Sequence, residues 1–402
     1  MMAKQIRCAG SRRAFLGSSA AAAALALWRP AGAHPAAVRV AVDAEFSLEN
    51  STSAQAIELG LRVAMAEVNA AGGVLGGRPL ELLVRDNRSM PARSQHNLRE
   101  LATVPDLVGV FGGRFSPVVL DAVPLVHELG LPFFAVWSSA DPIIDNNRKP
   151  NYMFRLALRD NLAMPKMLQT AQQRGHTKVG LLLANTGWGR SNLSAAERYV
   201  AEARRPAIAG LAWFNWGEKS LIQRYQSLRE AGATAILAVA NDDDAAVLVQ
   251  EVAALPKDQR IAIICHQGIT GGRFAQQAGP ALQEVDLSVL QTFSFFTADK
   301  AARNRFLATS ARLGGPTRID DILAPTGVAH AYDMLHIVAK AVTLAGSTGR
   351  SAVRDALERV SEHRGLIKTY RPPFSAQRHE ALGPAELLMA RYRADGVLVP
   401  AA

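Results

Sequence analysis

Cysteine is scarce in the 402-residue sequence, which contains only Cys8 and Cys265. Cys8 lies in an N-terminal segment that we expect to be removed, so the mature chain keeps one thiol and cannot form an internal disulfide. Cys265 is followed by His266, but neighbouring residues of a strand point to opposite faces, which makes a nucleophile and base pair awkward. The pattern therefore favours a buried structural cysteine.

Motifs that mark common enzymes are missing as well. The sequence has no Gly-x-Ser-x-Gly elbow, no His-Glu-x-x-His and no Cys-x-x-Cys, and its glycine-rich loop lacks the spacings of phosphate and dinucleotide loops. Its nine histidines are scattered, and the acids at 242–244 lack the glycine turn of a calcium loop. We therefore predict no enzymatic activity, no cofactor and no metal site.

Neither dense basic runs nor long apolar runs occur beyond the N-terminal segment. The net charge is +10, but five basic residues and no acid fall in the first 33 positions, and the remaining charge is about +5. Because no basic run is interleaved with aromatic residues, nucleic acid is not an expected partner. Because no later run reaches about 20 apolar residues, no membrane span is predicted in the mature chain.

The first 33 residues have the pattern of an export signal. Arg12 and Arg13 precede an apolar stretch that ends near Trp28, and the small residues 31–33 follow as a cleavage site. A membrane anchor is the alternative, but the stretch is too short to span a bilayer comfortably. The segment is similar to a twin-arginine signal and predicts cleavage after Ala33 and a periplasmic location.

Strand-like runs alternate with helical patterns along the rest of the chain. Strands are predicted at 38–43, 80–84, 107–111 and 132–136, and again at 178–185, 211–216, 234–241 and 260–266, with helices between them. The segment 151–161 is extended and suits a crossing between two halves. Such alternation with short connections predicts an α/β fold with two lobes, each a parallel sheet covered by helices.

Two loops at predicted strand ends have the composition of a ligand site. The stretch GVFGGRFSP (109–117) places two glycines, an arginine and a serine where a strand leads into a helix, and WSSADP (137–142) follows the next strand. Ligands of open parallel sheets bind beyond the carboxyl ends of the strands, where helix N-termini favour anions. A tight turn without a ligand is the alternative for the first loop, and a solvated side chain is the alternative for Arg114.

The order of these elements resembles the type I periplasmic binding proteins, specifically the leucine/isoleucine/valine-binding group. The resemblance is carried by AMAEVNAAGGVLGGRPLELLVRDN (64–87), the two loops above, HTKVGLLLANTGWGRS (176–191) and GVAHAYDMLHIVAKAVTLAGS (327–347). It implies two Rossmann-like lobes joined by three hinge strands, with lobe 1 at 38–156 and 293–368 and lobe 2 at 157–292 and 369–402. It also implies that a ligand is trapped when the lobes close.

The resemblance assigns candidate ligand-binding residues to both lobes. The carboxylate-binding loops would be 113–116 and 137–139, and the facing lobe would contribute an aromatic residue, a polar loop and the residue that holds a ligand ammonium. The candidates are Phe46, Gly113, Arg114, Ser116, Trp137, Ser138, Ser139, Trp188, Asn241, Asp242 and Gln267.

Gln267 departs from the pattern of the amino-acid binders, which have an acid at the ammonium position. A buried ammonium needs a compensating charge, so either Asp242 or Asp243 supplies it, or the ligand has no ammonium. The alternative role of the acids at 242–244 is to cap a helix N-terminus and stabilise its first turn. Trp213 and Trp216 alternate along a predicted strand and can be explained as core.

We therefore expect a monomeric periplasmic protein that captures a small carboxylate-bearing solute, such as an amino acid, by hinge closure. An inner-membrane ABC permease would be its partner. Two alternatives stay open: a sensor of the same fold that signals to a membrane receptor, and a secreted hydrolase or redox accessory protein.

Overall fold

The structure is a computed structural model that describes residues 1–2, 36–49 and 51–401. The predicted export signal, with its paired arginines and cleavage site, lies outside the described residues. None of the helices in the described part of the chain combines the length and hydropathy needed to cross a bilayer.

The first lobe is built on a five-stranded parallel sheet in the order β2-β1-β3-β4-β5. All six residues of β3 are buried, as expected for an inner parallel strand covered on both faces. The elements are β1 (Val38–Ala44), α1 (Ser53–Ala70), β2 (Leu80–Asp86), α2 (Pro91–Ala102), β3 (Leu107–Gly112), α3 (Ser116–Glu128), β4 (Phe133–Ala135) and β5 (Met153–Arg155).

The second lobe contains a seven-stranded sheet in the order β14-β13-β10-β9-β8-β6-β7. Five strands are parallel, whereas β13 and β14 are antiparallel additions at one edge. The elements are α4 (Asp160–Gln173), β6 (Lys178–Ala184), α5 (Gly187–Ala203), β7 (Ala207–Phe214), α6 (Ile222–Glu230), β8 (Ala235–Val239), α7 (Asp242–Ala253), β9 (Ala262–Cys265), α8 (Phe274–Ala278), β10 (Leu287–Gln291), β13 (Leu388–Tyr392) and β14 (Leu398–Pro400).

The chain between β10 and β13 returns to the first lobe. The long helix α10 lies against α1, and a Cβ at Gly60 would overlap the carbonyl oxygen of Val328, so this helix pair requires a glycine at that point. The elements are α9 (Lys300–Arg312), α10 (Pro325–Ala345), α11 (Arg350–Leu357), β11 (His363–Arg364) and β12 (Thr369–Tyr370).

Two large hydrophobic cores correspond to the two sheets. The chain passes between them three times: between Leu156 and Leu158, between Leu290 and Phe293, and between Leu382 and Leu387. The predicted α/β fold, with two parallel-sheet lobes and three connections, is confirmed.

Cys265 is fully buried in the second core, and burial raises the pKa of its thiol to about 12, as expected for a structural cysteine.

The segment 369–386 packs differently from the lobe boundary expected from the sequence. Tyr370, Phe374 and Leu382 belong to the core of the first lobe, and the ring of Phe374 lies 5.1 Å from that of Phe154. The Tyr370 hydroxyl also donates to the buried carboxylate of Asp333 on α10. The remaining lobe boundaries stay a prediction.

Candidate functional site

A narrow cleft separates the carboxyl ends of β3 and β4 in the first lobe from those of β6, β8 and β9 in the second. Its free volume is about 10 Å³, far below the range of about 300–1,000 Å³ for small-molecule pockets, so the cleft has no room for a solute in this conformation. It is lined by Arg114, Phe115, Ser116, Trp137, Ser139, Trp188, Trp216, Asn241, His266, Gln267 and Gly268.

The loop after β3 forms one wall on the first lobe. A Cβ at Gly113 would overlap the carboxylate of Glu45, so only glycine allows the loop to pass this close to the end of β1. The backbone N–H of Arg114 donates to the same carboxylate over 3.3 Å. Ser116 begins α3, and its hydroxyl accepts the backbone N–H of Ala140 over 3.3 Å.

The loop after β4 completes that wall. The Ser138 hydroxyl donates to the carbonyl of Gly113 over 2.8 Å and so fastens the two loops together. Ser139 and Trp137 line the cleft itself. The six-membered ring of Trp137 lies directly against Gly327 at the start of α10, where a larger side chain would displace it.

The second lobe supplies the opposite wall from three strand ends. Trp188 lies in the first turn of α5, Asn241 precedes α7, and Gln267 follows β9. The ring of Trp188 meets that of His266 edge to face with centroids 5.0 Å apart. Because Asn241 and the first turns of α3 and α5 line the cleft, the positive ends of helix dipoles face it.

Trp216, explained as core from the sequence, lines the cleft, and so does Phe115, which lies within the predicted loop 113–116 but was not among the candidates. Strand β7 ends at Phe214, so Trp216 lies in the following loop and not on the strand with Trp213. The Phe115 and Trp216 rings meet across the cleft at 5.3 Å in an edge-to-face contact. Trp216 would have been placed correctly if the end of β7 at Phe214 had been predicted. The aromatic residues at 213–216 do not reveal where the strand ends.

A buried ion pair crosses the cleft. Arg114 Nη1 donates to Asp242 Oδ1 over 2.6 Å, with the two side chains 3% and 1% exposed. Burial raises the pKa of Asp242, while the Arg114 guanidinium opposes this shift. Arg114 also lies over the ring of Phe115, at 4.6 Å from its centroid.

The other two acids at the start of α7 point elsewhere. Asp243 is exposed and accepts a hydrogen bond from Gln277, and Asp244 accepts the backbone N–H of Gly217 over 2.9 Å. Burial raises the pKa of Asp244 to about 6. Within the described residues, no group of three His, Cys, Asp or Glu side chains is arranged to hold a metal ion.

Several buried polar atoms around the cleft have no hydrogen-bond partner among the described residues. The indole N–H groups of Trp188 and Trp216 and the whole side-chain amide of Gln267 are unpaired. Nε of Arg114 and Oδ2 of Asp242 are unpaired as well. Buried polar groups are normally paired, so such a concentration marks a place where a polar guest would be stabilised.

The structure brings most of the candidate residues together, with three exceptions. Arg114, Ser116, Trp137, Ser139, Trp188, Asn241 and Gln267 line the cleft, and Asp242 contacts it through Arg114. Gly113 and Ser138 lie behind the wall and shape its loops. Phe46 packs partly buried against the core of the first lobe and is not part of the lining.

A wider, open pocket of about 350 Å³ lies on the other side of the turn that holds Gln267. It is bordered by Thr270, the segments 294–296 and 319–325, and the hairpin between β13 and β14. None of the polar side chains that border it is buried and unpaired in the described part of the chain. The narrow cleft is therefore the better candidate.

Comparison with known proteins gives the chain a family. The periplasmic binding protein family matches residues 37–396. Leu/Ile/Val-binding protein homolog 7 of Brucella melitensis is 26% identical over 199 residues, so the match spans 48% of this chain and about half, 49%, of that relative. Homolog 6 of Brucella suis is 22% identical over 327 residues, 80% of each protein.

Solved structures share the fold. A type 1 periplasmic binding protein from Bordetella pertussis has a TM-score of 0.80 at 20% identity and covers 91% of this chain and 100% of its own. LivJ of Streptococcus pneumoniae, in complex with isoleucine, has a TM-score of 0.75 at 19% identity, covering 91% and 100%. A solute-binding protein from R. palustris, in complex with 4-hydroxybenzoate, has a TM-score of 0.74 at 16% identity, covering 91% and 95%. The chain therefore belongs to the periplasmic binding protein family and has the type I fold of its leucine/isoleucine/valine-binding group.

Proposed function

We propose that this protein captures a small carboxylate-bearing solute between its lobes and delivers it to an inner-membrane ABC permease. The observation that carries the proposal is the set of unpaired buried groups contributed by both lobes to one cleft. A guest that pairs with them contacts both lobes only when the cleft is closed. Its differential affinity for the closed form then shifts the population from open to closed.

The first lobe would hold the carboxylate and the second would hold the body of the solute. The guanidinium of Arg114, the hydroxyls of Ser116 and Ser139 and the N-terminus of α3 suit an anion. The rings of Trp188, Trp216 and Phe115 suit an apolar or aromatic body. The isoleucine bound by LivJ and the 4-hydroxybenzoate bound by the R. palustris protein are both carboxylates, which supports this class.

Entry of the solute requires the lobes to separate. Trp188 and Gln267 are 5% and 1% exposed, so the walls leave little access from solvent in this conformation.

We further propose that the twin-arginine pattern directs the chain to the periplasm, where the mature protein would begin at His34. N-terminal sequencing of the protein from a periplasmic fraction tests this route.

A thermal-shift screen of amino acids, aromatic acids, aliphatic acids and amides tests the binding function. A solute that binds only the folded state raises the midpoint of unfolding as its concentration exceeds Kd. We expect Trp188→Ala and Ser139→Ala to reduce the shift by a carboxylate. Trp188→Phe, which keeps a ring but removes the N–H, should have an intermediate effect.

Tyr199→Ala is the matched control, because Tyr199 is a partly buried aromatic residue on α5 that does not line the cleft. It should lower the midpoint of the unliganded protein and leave the ligand-induced shift unchanged. An equal shift in wild type, Trp188→Ala and Ser139→Ala would contradict the placement of the solute in this cleft.

A further inference from the structure

The charges that face the cleft are already balanced within the protein. Arg114 from the first lobe and Asp242 from the second pair at 2.6 Å in nearly complete isolation from solvent. Each of these charges is costly to bury alone, and each is compensated by the other. Given the proposed function, this balance of charge restricts which solutes the cleft can accept.

None of the acids in the described part of the chain lines the cleft, and Asp242 contacts it only through Arg114. Asp243 faces solvent and Gln277, and Asp244 faces Gly217. Glu45, behind the first wall, accepts from the hydroxyls of Ser51 and Ser53 and from the backbone of Arg114. Asp160 lies behind the lining, with a carboxylate oxygen 3.4 Å from Nε2 of His266, and neither of its oxygens accepts a hydrogen bond.

The unpaired groups of the cleft are mainly hydrogen-bond donors. Trp188, Trp216 and Arg114 each offer an unpaired N–H, and Gln267 offers its amide nitrogen. Nε2 of His266 is unpaired as well and is a further donor, since Nδ1 of the same ring accepts the N–H of Gly268. The unpaired acceptors of the lining and its ion pair are the amide oxygen of Gln267 and Oδ2 of Asp242. A guest that complements this set carries more acceptors than donors, as a carboxylate does and an ammonium does not.

We infer that the cleft selects carboxylates that lack an α-ammonium group, with Arg114, Asp242 and Gln267 as the residues that set this preference. An ammonium near Asp242 would also lie near the Arg114 guanidinium, and the two cations would share one carboxylate. The ammonium would lose its hydration without gaining a charge of its own. A carboxylate instead meets the guanidinium, the indole N–H groups and the helix N-termini.

Isothermal titration calorimetry with matched pairs of solutes tests this inference. 3-Phenylpropanoate is compared with L-phenylalanine, and 4-methylpentanoate with L-leucine, because the members of each pair differ only by the ammonium. We expect the plain acid of at least one pair to bind at least about tenfold more tightly than its amino acid, which corresponds to about 1.4 kcal/mol.

Equal or tighter binding of the amino acids would overturn the inference and leave the proposed function in place. Failure of every carboxylate in the wider screen, with binding of another solute class, would overturn both. The two proposals therefore fail in distinguishable ways.

Gln267→Glu provides a second, independent test. The new carboxylate would supply the missing counter-charge, so the ratio of acid affinity to amino-acid affinity should fall by about tenfold or more. Gln172→Glu, at an exposed position on α4, adds the same charge away from the cleft and should leave the ratio unchanged. An unchanged ratio in a folded Gln267→Glu protein would contradict the role of Gln267.

Discussion

Arg114 and Asp242 connect the closure of the cleft with its choice of ligand. The pair joins a loop of the first lobe to the N-terminus of α7 in the second, so it is made only when the lobes meet. It also occupies Arg114, whose guanidinium is the only one that lines the cleft among the residues the structure describes. A carboxylate guest must therefore share Arg114 with Asp242, which limits how tightly the guest can bind.

Asp242→Asn should separate the contribution of the ion pair to the closed form from its competition with the ligand for Arg114. The amide keeps the shape of the side chain but removes its charge, so Arg114 becomes available to an anionic solute. We expect the unliganded protein to lose about 3 kcal/mol of stability because a buried guanidinium loses its partner. The affinity for a carboxylate should rise, as measured by calorimetry.

An Asp242→Asn protein that is folded and binds carboxylates more weakly than wild type would contradict this account. Asp243→Asn is the matched control, since it removes an exposed charge from the same helix turn. It should change neither quantity by more than about 0.5 kcal/mol.

His330 gives a residue-level prediction about pH. It is buried on α10 between the carbonyl of Val136 and the hydroxyl of Thr292, which lies beside the second crossing between the lobes. Burial lowers the pKa of its imidazole to about 4, below the ordinary value of 6.5. The unfolded chain therefore takes up the proton first, and this contribution to stability is lost as the pH falls from about 6.5 to 4.

His330→Gln should remove this loss. The difference in unfolding free energy between wild type and variant should shrink by up to about 3 kcal/mol between pH 7 and pH 4. Asp244 and Asp333, whose pKa values burial raises to about 6, act in the opposite direction in both proteins and cancel in the difference. A difference that stays constant with pH, as expected for exposed His96→Gln, would contradict the prediction.

At the scale of elements, the strand-to-helix junctions decide where the site residues lie. At the start of α5, the hydroxyl of Thr186 accepts the N–H of Gly189 over 3.4 Å, and Gly189 lies directly against the carbonyl of Ala184. A side chain at Gly189 would push this first turn away from β6. Trp188, the neighbouring residue, would move with it.

Gly189→Ala should therefore destabilise the protein by about 3 kcal/mol and weaken solute binding. Gly383→Ala is the control, because its nearest neighbour would be an ordinary 3.7 Å from the new Cβ. Urea unfolding and the thermal-shift response measure the two effects. Equal stability of the two variants would contradict the prediction, because it would mean that the first turn of α5 can accommodate a methyl group at position 189.

The sequence predicted these elements well because buried parallel strands are continuous apolar runs. The strands that support the cleft were expected within one or two residues of β3, β8 and β9, so the loops with Ser116, Asn241 and Gln267 were placed correctly. The loop with Trp216 was not placed correctly, because the predicted strand 211–216 continues two residues beyond Phe214, where β7 ends. The Arg114 and Asp242 pair joins residues 128 positions apart, and no local pattern predicts it.

At the scale of the whole molecule, the three crossings form a firm base for the cleft. Arg155 at the end of β5 is fully buried and makes two bonds, of 2.9 and 2.5 Å, to the carboxylate of Glu380. It also donates to the carbonyl of Ala140 over 2.8 Å. This pair joins the first crossing to the segment that leads into the third.

The contacts across the cleft are the buried Arg114–Asp242 pair, the ring contact of Phe115 with Trp216, and weaker contacts near its edge. The hydroxyl of Ser191 accepts the backbone N–H of Asp141 over 2.9 Å, and the largely exposed Arg198 lies 3.3 Å from the Asp141 carboxylate. Exposed ion pairs of this kind contribute about 1 kcal/mol or less. Separation of the lobes about the crossings therefore has to break chiefly the Arg114–Asp242 pair, whose two charges regain hydration as the cleft opens.

A crystal structure of the protein with the tightest carboxylate from the screen tests the central claim most directly. The account predicts density for the solute between the two lobes, with its carboxylate within hydrogen-bond distance of Arg114 or Ser139. Its body should contact Trp188 and Gln267. Density in the wide pocket beside Thr270, or elsewhere on the surface, with the narrow cleft unchanged, would contradict the account.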